Sequence, residues 1–150
     1  MILDRVAFDG PVWRILAADR ADDATGEARH PEGRFHHSGQ PALYASLSAE
    51  GAGVAVARYL AAGDGPRVIA RLRVVADLAD LRGLGAAPSI VWQDIRAAGR
   101  PSPTWNLSDA ARAQGAQGLI YRSRTRPDLT HLVLFDIAAA RADGAAHPWP

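Results

Sequence analysis

The stretch Gly33 to Ser46, GRFHHSGQPALYAS, holds an arginine, two adjacent histidines, a tyrosine and two serines within fourteen residues. Side chains of these types can grip a charged ligand, since a guanidinium meets an anion through parallel charge-assisted hydrogen bonds while hydroxyls and imidazoles orient it. The same residues also suit a turn running into a buried strand, and the stretch alone leaves both readings open. Two positions outside it stand out. Arg14 sits among apolar neighbours in PVWRILAA, where an arginine is less often idle than on a surface, and Ser123 ends GLIYRS ahead of the basic turn RTRPDLT.

Other chemistries are excluded or discounted. The chain has no Cys, which removes disulfides, thiolate metal sites and Cys nucleophiles, and makes the cytosol its natural compartment. All 17 basic residues are Arg, so Schiff-base and phosphate-loop lysines are absent. No GxGxxG, Walker A, HExxH or GxSxG motif occurs, and Gly83 and Gly85 give only a lone GLG. His30, His36 and His37 would need a distant ligand to hold a metal, so they read as loop histidines and no metal centre is expected. Arg122, Arg124 and Arg126 beside Tyr121 would share one side of a continuing strand and could touch phosphates. They read as solvated turn charge, and with a net charge of +1 direct nucleic-acid binding is not expected. No segment approaches the roughly 20 apolar residues that span a bilayer, and charges at Asp4, Arg5 and Asp9 break any signal-peptide core, so no membrane partner is expected.

The elements that must position the candidates follow from periodicity. At 150 residues, 48% apolar and 22% charged, the chain suits one soluble domain over residues 1–150. Residues 11–18 alternate as a strand with Val12, Arg14 and Leu16 on one side. Residues 19–39 form a long polar loop, a kind that is often functional. A strand over 42–46 leads to a helix capped by Ser48 and ending near Gly63. A strand over 67–76, helices over 88–98 and 107–114, and strands over 118–123 and 131–136 follow, with a short Ala-rich helix after Asp136. Strands and helices mix without a βαβ rhythm, which predicts α+β.

The order of short motifs resembles the RES domain, named for its Arg, Glu and Ser, the toxin half of RES–Xre toxin–antitoxin pairs. VWR with Arg14, GRF with Arg34, Gly39, PALY with Tyr44, PTWNLSDAARAQGAQGL, and GLIYRS with Ser123 ahead of HLVLF carry the resemblance over about residues 12 to 136. It implies a mixed-sheet fold like that of ADP-ribosyltransferases with short helices around it. It also implies an enzyme that consumes NAD as substrate without a metal, passing ADP-ribose to water, phosphate or a protein target, and an Xre-type antitoxin as partner. Arg14 and Arg34 would hold the diphosphate. Tyr44 would offer the nicotinamide a flat face, Ser46 would line the cofactor site, and Ser123 would orient the nicotinamide end.

One departure is serious. The family Glu falls eleven residues beyond Tyr44, where this chain has Ala55. Of the glutamates Glu27, Glu32 and Glu50, the last precedes Ala55 by five helical positions, about 7.5 Å along the axis and about 140° around it, so it points to another face. It suits the helix dipole, while Glu32 could swing in or pair with an arginine. His36 stands where the family commonly has Asn, and with a pKa near working pH it could polarise a nucleophile or a substrate hydroxyl. The alternative is a RES-like protein that binds NAD or a partner with weak or no turnover.

Overall fold

The computed structural model describes residues 1–57, 59–60, 64–84 and 92–150. Its elements are β1 (Arg5–Ala17), β2 (Leu43–Ser46), α1 (Ala49–Ala57), β3 (Arg67–Asp80), α2 (Trp92–Ala97), α3 (Thr104–Ala113), β4 (Gly118–Arg122), β5 (Thr130–Leu134), β6 (Ala140–Ala142) and β7 (His147–Trp149), with 3-10 turns at Ala18–Asp23 and Ile137–Ala139. The α+β architecture expected from the sequence is the one observed.

The strands form one mixed sheet in the order β1-β2-β5-β4-β3-β6, and β1 also pairs with β3, which closes five of them into a ring. Among the described strands only β3 and β4 run parallel, and their connection includes α2 and α3. β1 and β3 pair along their whole length, from Arg5 with Ala79 to Ala17 with Arg67. Both alternate: Val12 and Leu16 on β1 and Leu72, Val74 and Leu78 on β3 point into the ring, where they meet Leu43, Ile120, Leu132 and Leu134. Charged residues on the other side pair across the two strands, as Arg5 does with Asp77 and Arg73 with Asp9.

A second apolar cluster covers the outside of β4 and β5, built from Phe35, Leu119, Tyr121 and Val133 with Ala111 and Ala116 from α3 and its exit. These two strands are therefore apolar on both faces, which is why GLIY and HLVL read as nearly unbroken runs. The outer face of β2, β5 and β4, roofed by α3 and the loop around Phe35, is where the candidate site lies.

Differences from the sequence reading have physical causes. β1 starts six residues earlier than alternation from Pro11 suggests, because Arg5, Ala7 and Asp9 are solvent-side positions of a long two-stranded ribbon. Ser48 caps α1 as expected, accepting from the Gly51 N–H at 2.9 Å, but the helix is described only to Ala57. The first residues of the helix expected over 88–98 lie outside the described residues, and its remainder is α2. The Ala-rich tail forms a 3-10 turn and then β6 and β7, because the second edge of β3 offers backbone partners that outweigh alanine's helix preference.

Gly118 marks the tightest packing between β4 and β5. A Cβ there would overlap the Val133 carbonyl oxygen and lie 3.1 Å from Leu134 Cα. Gly118→Ala is expected to destabilise the fold by roughly 1–3 kcal/mol, read from the urea midpoint, while Gly83→Ala, with open space around it, leaves the midpoint in place.

Candidate active site

Trp13, Ser46, His131 and Tyr121 are successive cross-strand partners on β1, β2, β5 and β4, so their side chains form one row on the outer face. Ser46 Oγ lies 2.6 Å from His131 Nδ1, and the His131 and Tyr121 rings are 5.8 Å apart. The Ser123 N–H donates to the Leu129 carbonyl at 2.9 Å, which continues the β4–β5 ladder and keeps Ser123 on the face of Tyr121. α1 lies directly on the row: a Cβ on Gly51 would come within 3.2 Å of Ser46 Cβ, so a glycine permits this approach.

Over the row hangs the turn Gly33–His36, closed by an N–H to carbonyl bond from Gly33 to His36 of 2.9 Å. Three side chains of α3 donate to three consecutive carbonyls of this turn. Trp105 Nε1 reaches Gly33 at 2.8 Å, the Thr104 hydroxyl reaches Arg34, and an Arg112 Nη reaches Phe35 at 3.1 Å. From below, the Tyr44 hydroxyl accepts from the Phe35 N–H at 2.9 Å and meets His36 Nδ1 at 2.8 Å. His36 Nε2 lies 2.9 Å from the His30 carbonyl, so it carries the proton and the Tyr44 O–H donates to Nδ1.

So held, the turn sets Arg34 Cζ 5.4 Å from the Tyr121 ring centre and 5.2 Å from that of Phe35. Burial lowers the Arg34 pKa from its usual value, Tyr121 opposes that, and the nearby charge of Arg124 lowers it further. Burial pushes the Tyr121 hydroxyl up to about 12 and raises Tyr44 as well, so both stay neutral.

Of the residues singled out by sequence, the fold brings Arg34, Tyr44, Ser46 and Ser123 to one face. Arg14 does not join them. Strand alternation turns it toward the ring interior with Val12 and Leu16, and its Nη1 donates to the Ala24 and Gly26 carbonyls at 2.8 and 2.6 Å. Burial, then repulsion from Arg20, hold its pKa down to about 10. The expected pairing of Arg14 and Arg34 on one diphosphate is thereby corrected, since the two leave opposite faces of the sheet. His36 is also corrected: with both ring nitrogens engaged inside the protein, and its pKa lowered by burial, it fastens the turn and has no nitrogen left to polarise a substrate.

The Ser123 hydroxyl oxygen accepts from the Arg126 N–H at 3.2 Å, leaving its own proton to donate. Arg126 in turn meets Glu50 at 3.2 Å and Asp128 at 2.8 Å, which ties Glu50 to the Ser123 turn. Glu32 pairs with Arg96 at 3.1 Å, and Ala55 is exposed on α1. Arg122 is committed to the Arg82 and Pro127 carbonyls, so the three turn arginines do not present one row. A hollow of about 390 Å³ lies elsewhere, beside the first 3-10 turn and β6, and is lined mainly by alanines. It carries none of the candidates.

Sequence reasoning missed His131, Thr104, Trp105 and Arg112. The PTWN segment was visible as a motif, but nothing in it says that its side chains grip a turn seventy residues earlier. His131 gave no local signal, because its partners Ser46 and Tyr121 lie on other strands.

A family model described as the RES domain matches residues 11–150. Among solved structures, the crystal structure of the M. tuberculosis MbcT–MbcA toxin–antitoxin complex contains a similar chain, with a TM-score of 0.62 and 16% identity over 97% of this chain and 86% of that one. At that identity the likeness is one of fold. No curated protein matches at a significant level.

Two expectations follow from this geometry. Tyr44→Phe strands the Phe35 N–H and His36 Nδ1 and is expected to destabilise the protein by about 1–3 kcal/mol, measured by thermal or urea unfolding. His131, only 6% exposed, is held by burial and then by Arg34 down to about 4 from its ordinary 6.5. The unfolded chain therefore takes up this proton first. Stability is lost as pH falls from 6.5 toward 4, by roughly 3 kcal/mol from this group, and unfolding curves of His131→Gln at pH 7 and pH 4.5 should show a correspondingly smaller drop.

Proposed function

The chain is a member of the RES domain family, and on that premise we propose that it is the toxin of a toxin–antitoxin pair that binds NAD and cleaves its nicotinamide–ribose bond. The observation that supports this reading most is that Arg34, from the Gly-Arg-aromatic step of the resemblance, lies 5.4 Å from the Tyr121 ring on the face that also carries Ser123, His131 and Ser46. Arg34 receives the diphosphate through a planar, permanently charged fork, without Arg14, which faces the ring interior. Tyr44, half-buried on the same face, gives the nicotinamide a flat side, Ser46 lines the site, and the Ser123 proton orients the nicotinamide end.

In the reaction the ribose C1′–N bond breaks and its electron pair moves onto the pyridinium nitrogen, neutralising it. The ribosyl carbon, left positive, is taken by water, phosphate or a protein group, which gives up a proton. Developing positive charge on the ribose calls for a carboxylate, and none stands at position 55. Glu50 is the acid tied to the Ser123 turn, through Arg126. The exposed alanine also favours a second reading, in which the chain binds NAD or a partner with little turnover.

The partner is an antitoxin of the Xre type that neutralises by covering this face. The similar solved chain comes from a toxin–antitoxin complex, which supports a protein partner of this kind. With no helix among the described residues long and apolar enough to cross a membrane, action in the cytoplasm fits.

Nicotinamide release from NAD by the purified chain, freed of any antitoxin, tests the proposal. Arg34→Ala is expected to lower release at least about tenfold, and Ala55→Glu to raise it by a similar factor. Heat of NAD binding without product supports the second reading. Neither binding nor release removes both.

A further inference from the structure

His131 is engaged on one side only. Its Nδ1 is fixed by Ser46 at 2.6 Å, while Nε2 has no hydrogen-bond partner among the described residues. Tyr121 packs on the flank of the ring, with 5.8 Å between centroids. Arg34 and His131 both contact Tyr121, with Arg34 Cζ 5.4 Å and the imidazole 5.8 Å from its ring centre. A ligand whose anionic centre sits at Arg34 thus has His131 within about 11 Å of the guanidinium, on the face that also carries Ser123.

We infer that His131 is a binding residue for the carboxamide of the nicotinamide, contacting it through Nε2 while Ser46 holds the ring in place. This rests on the dinucleotide reading above and names a subsite within it. A carboxamide offers both a carbonyl acceptor and an N–H donor, so it matches Nε2 in either tautomer that the Ser46 bond allows. The nicotinamide ring of NAD is a cation, and an imidazolium beside it would repel it. Burial and the field of Arg34 keep His131 neutral at working pH, as such a neighbour must be.

The test uses calorimetry on the full chain with two ligands: carba-NAD, whose inert linkage keeps the nicotinamide attached, and ADP-ribose, which lacks it. His131→Asn keeps an amide near the Nδ1 position and removes Nε2, whereas His131→Gln extends an amide to the Nε2 position. His131→Asn should weaken carba-NAD about tenfold and leave ADP-ribose within about twofold, and His131→Gln should retain most carba-NAD affinity. Imidazole ¹⁵N spectra of the unsubstituted protein give a readout independent of how well variants fold: Nε2 of His131 should shift with carba-NAD and stay put with ADP-ribose. Equal losses for both ligands, or no selective Nε2 shift in a protein that binds both, overturn the inference alone. Failure of the unsubstituted chain to bind either ligand overturns the dinucleotide reading and this subsite with it.

Discussion

Three carbonyls in a row hold the candidate site together. Gly33, Arg34 and Phe35 each accept from a different side chain of α3, while the Phe35 N–H donates to Tyr44 from the sheet below. A loop whose backbone groups were satisfied by water would be free to move, and Arg34 would carry a flexible charge. Here the backbone of four residues is bonded from both sides. A Cβ on Gly33 would come within 2.8 Å of His36 Nδ1 and 3.0 Å of the Tyr44 hydroxyl, which leaves no room for a larger residue. The guanidinium therefore emerges from a rigid base, as a group that must meet an anion in one geometry should.

The price of that rigidity is paid in polar side chains that serve the backbone. Tyr44, His36, Thr104 and Trp105 all look like chemistry-bearing residues by type, yet Tyr44, Thr104 and Trp105 place their polar atoms on the turn and His36 fastens it to Tyr44 and the His30 carbonyl. Fewer polar groups on this face are left off the turn, among them the Ser123 proton and one nitrogen of His131. This division explains why residue type was a poor guide to role. The same hydroxyl that marks Tyr44 as a candidate is the one that the Phe35 N–H and His36 use.

The fold and much of the site were legible in the sequence, for unequal reasons. Period-two alternation located most strands, and the α+β architecture with one mixed sheet and short helices, expected from the sequence and its resemblance, is the one found. Arg34, Tyr44, Ser46 and Ser123 share a face because motif order reflects strand order. Arg14 was misjudged although its own alternation with Val12 and Leu16 already pointed it inward, the side that filled with Leu72 and Ile120. His131 could not be seen, since cross-strand registers such as Ser46 with His131 are set by closure of the whole ring and leave no local trace.

Closure of that ring has a temporal consequence. The row needs β2 paired with β5, so residues 43–46 must wait for residues 130–134, and the crossover that carries the α3 grip lies between them. High contact order of this kind makes the face a late product of folding. A growing chain on the ribosome thus carries Arg34 and Tyr44 well before their face can assemble, which waits for residues 130–134 to emerge.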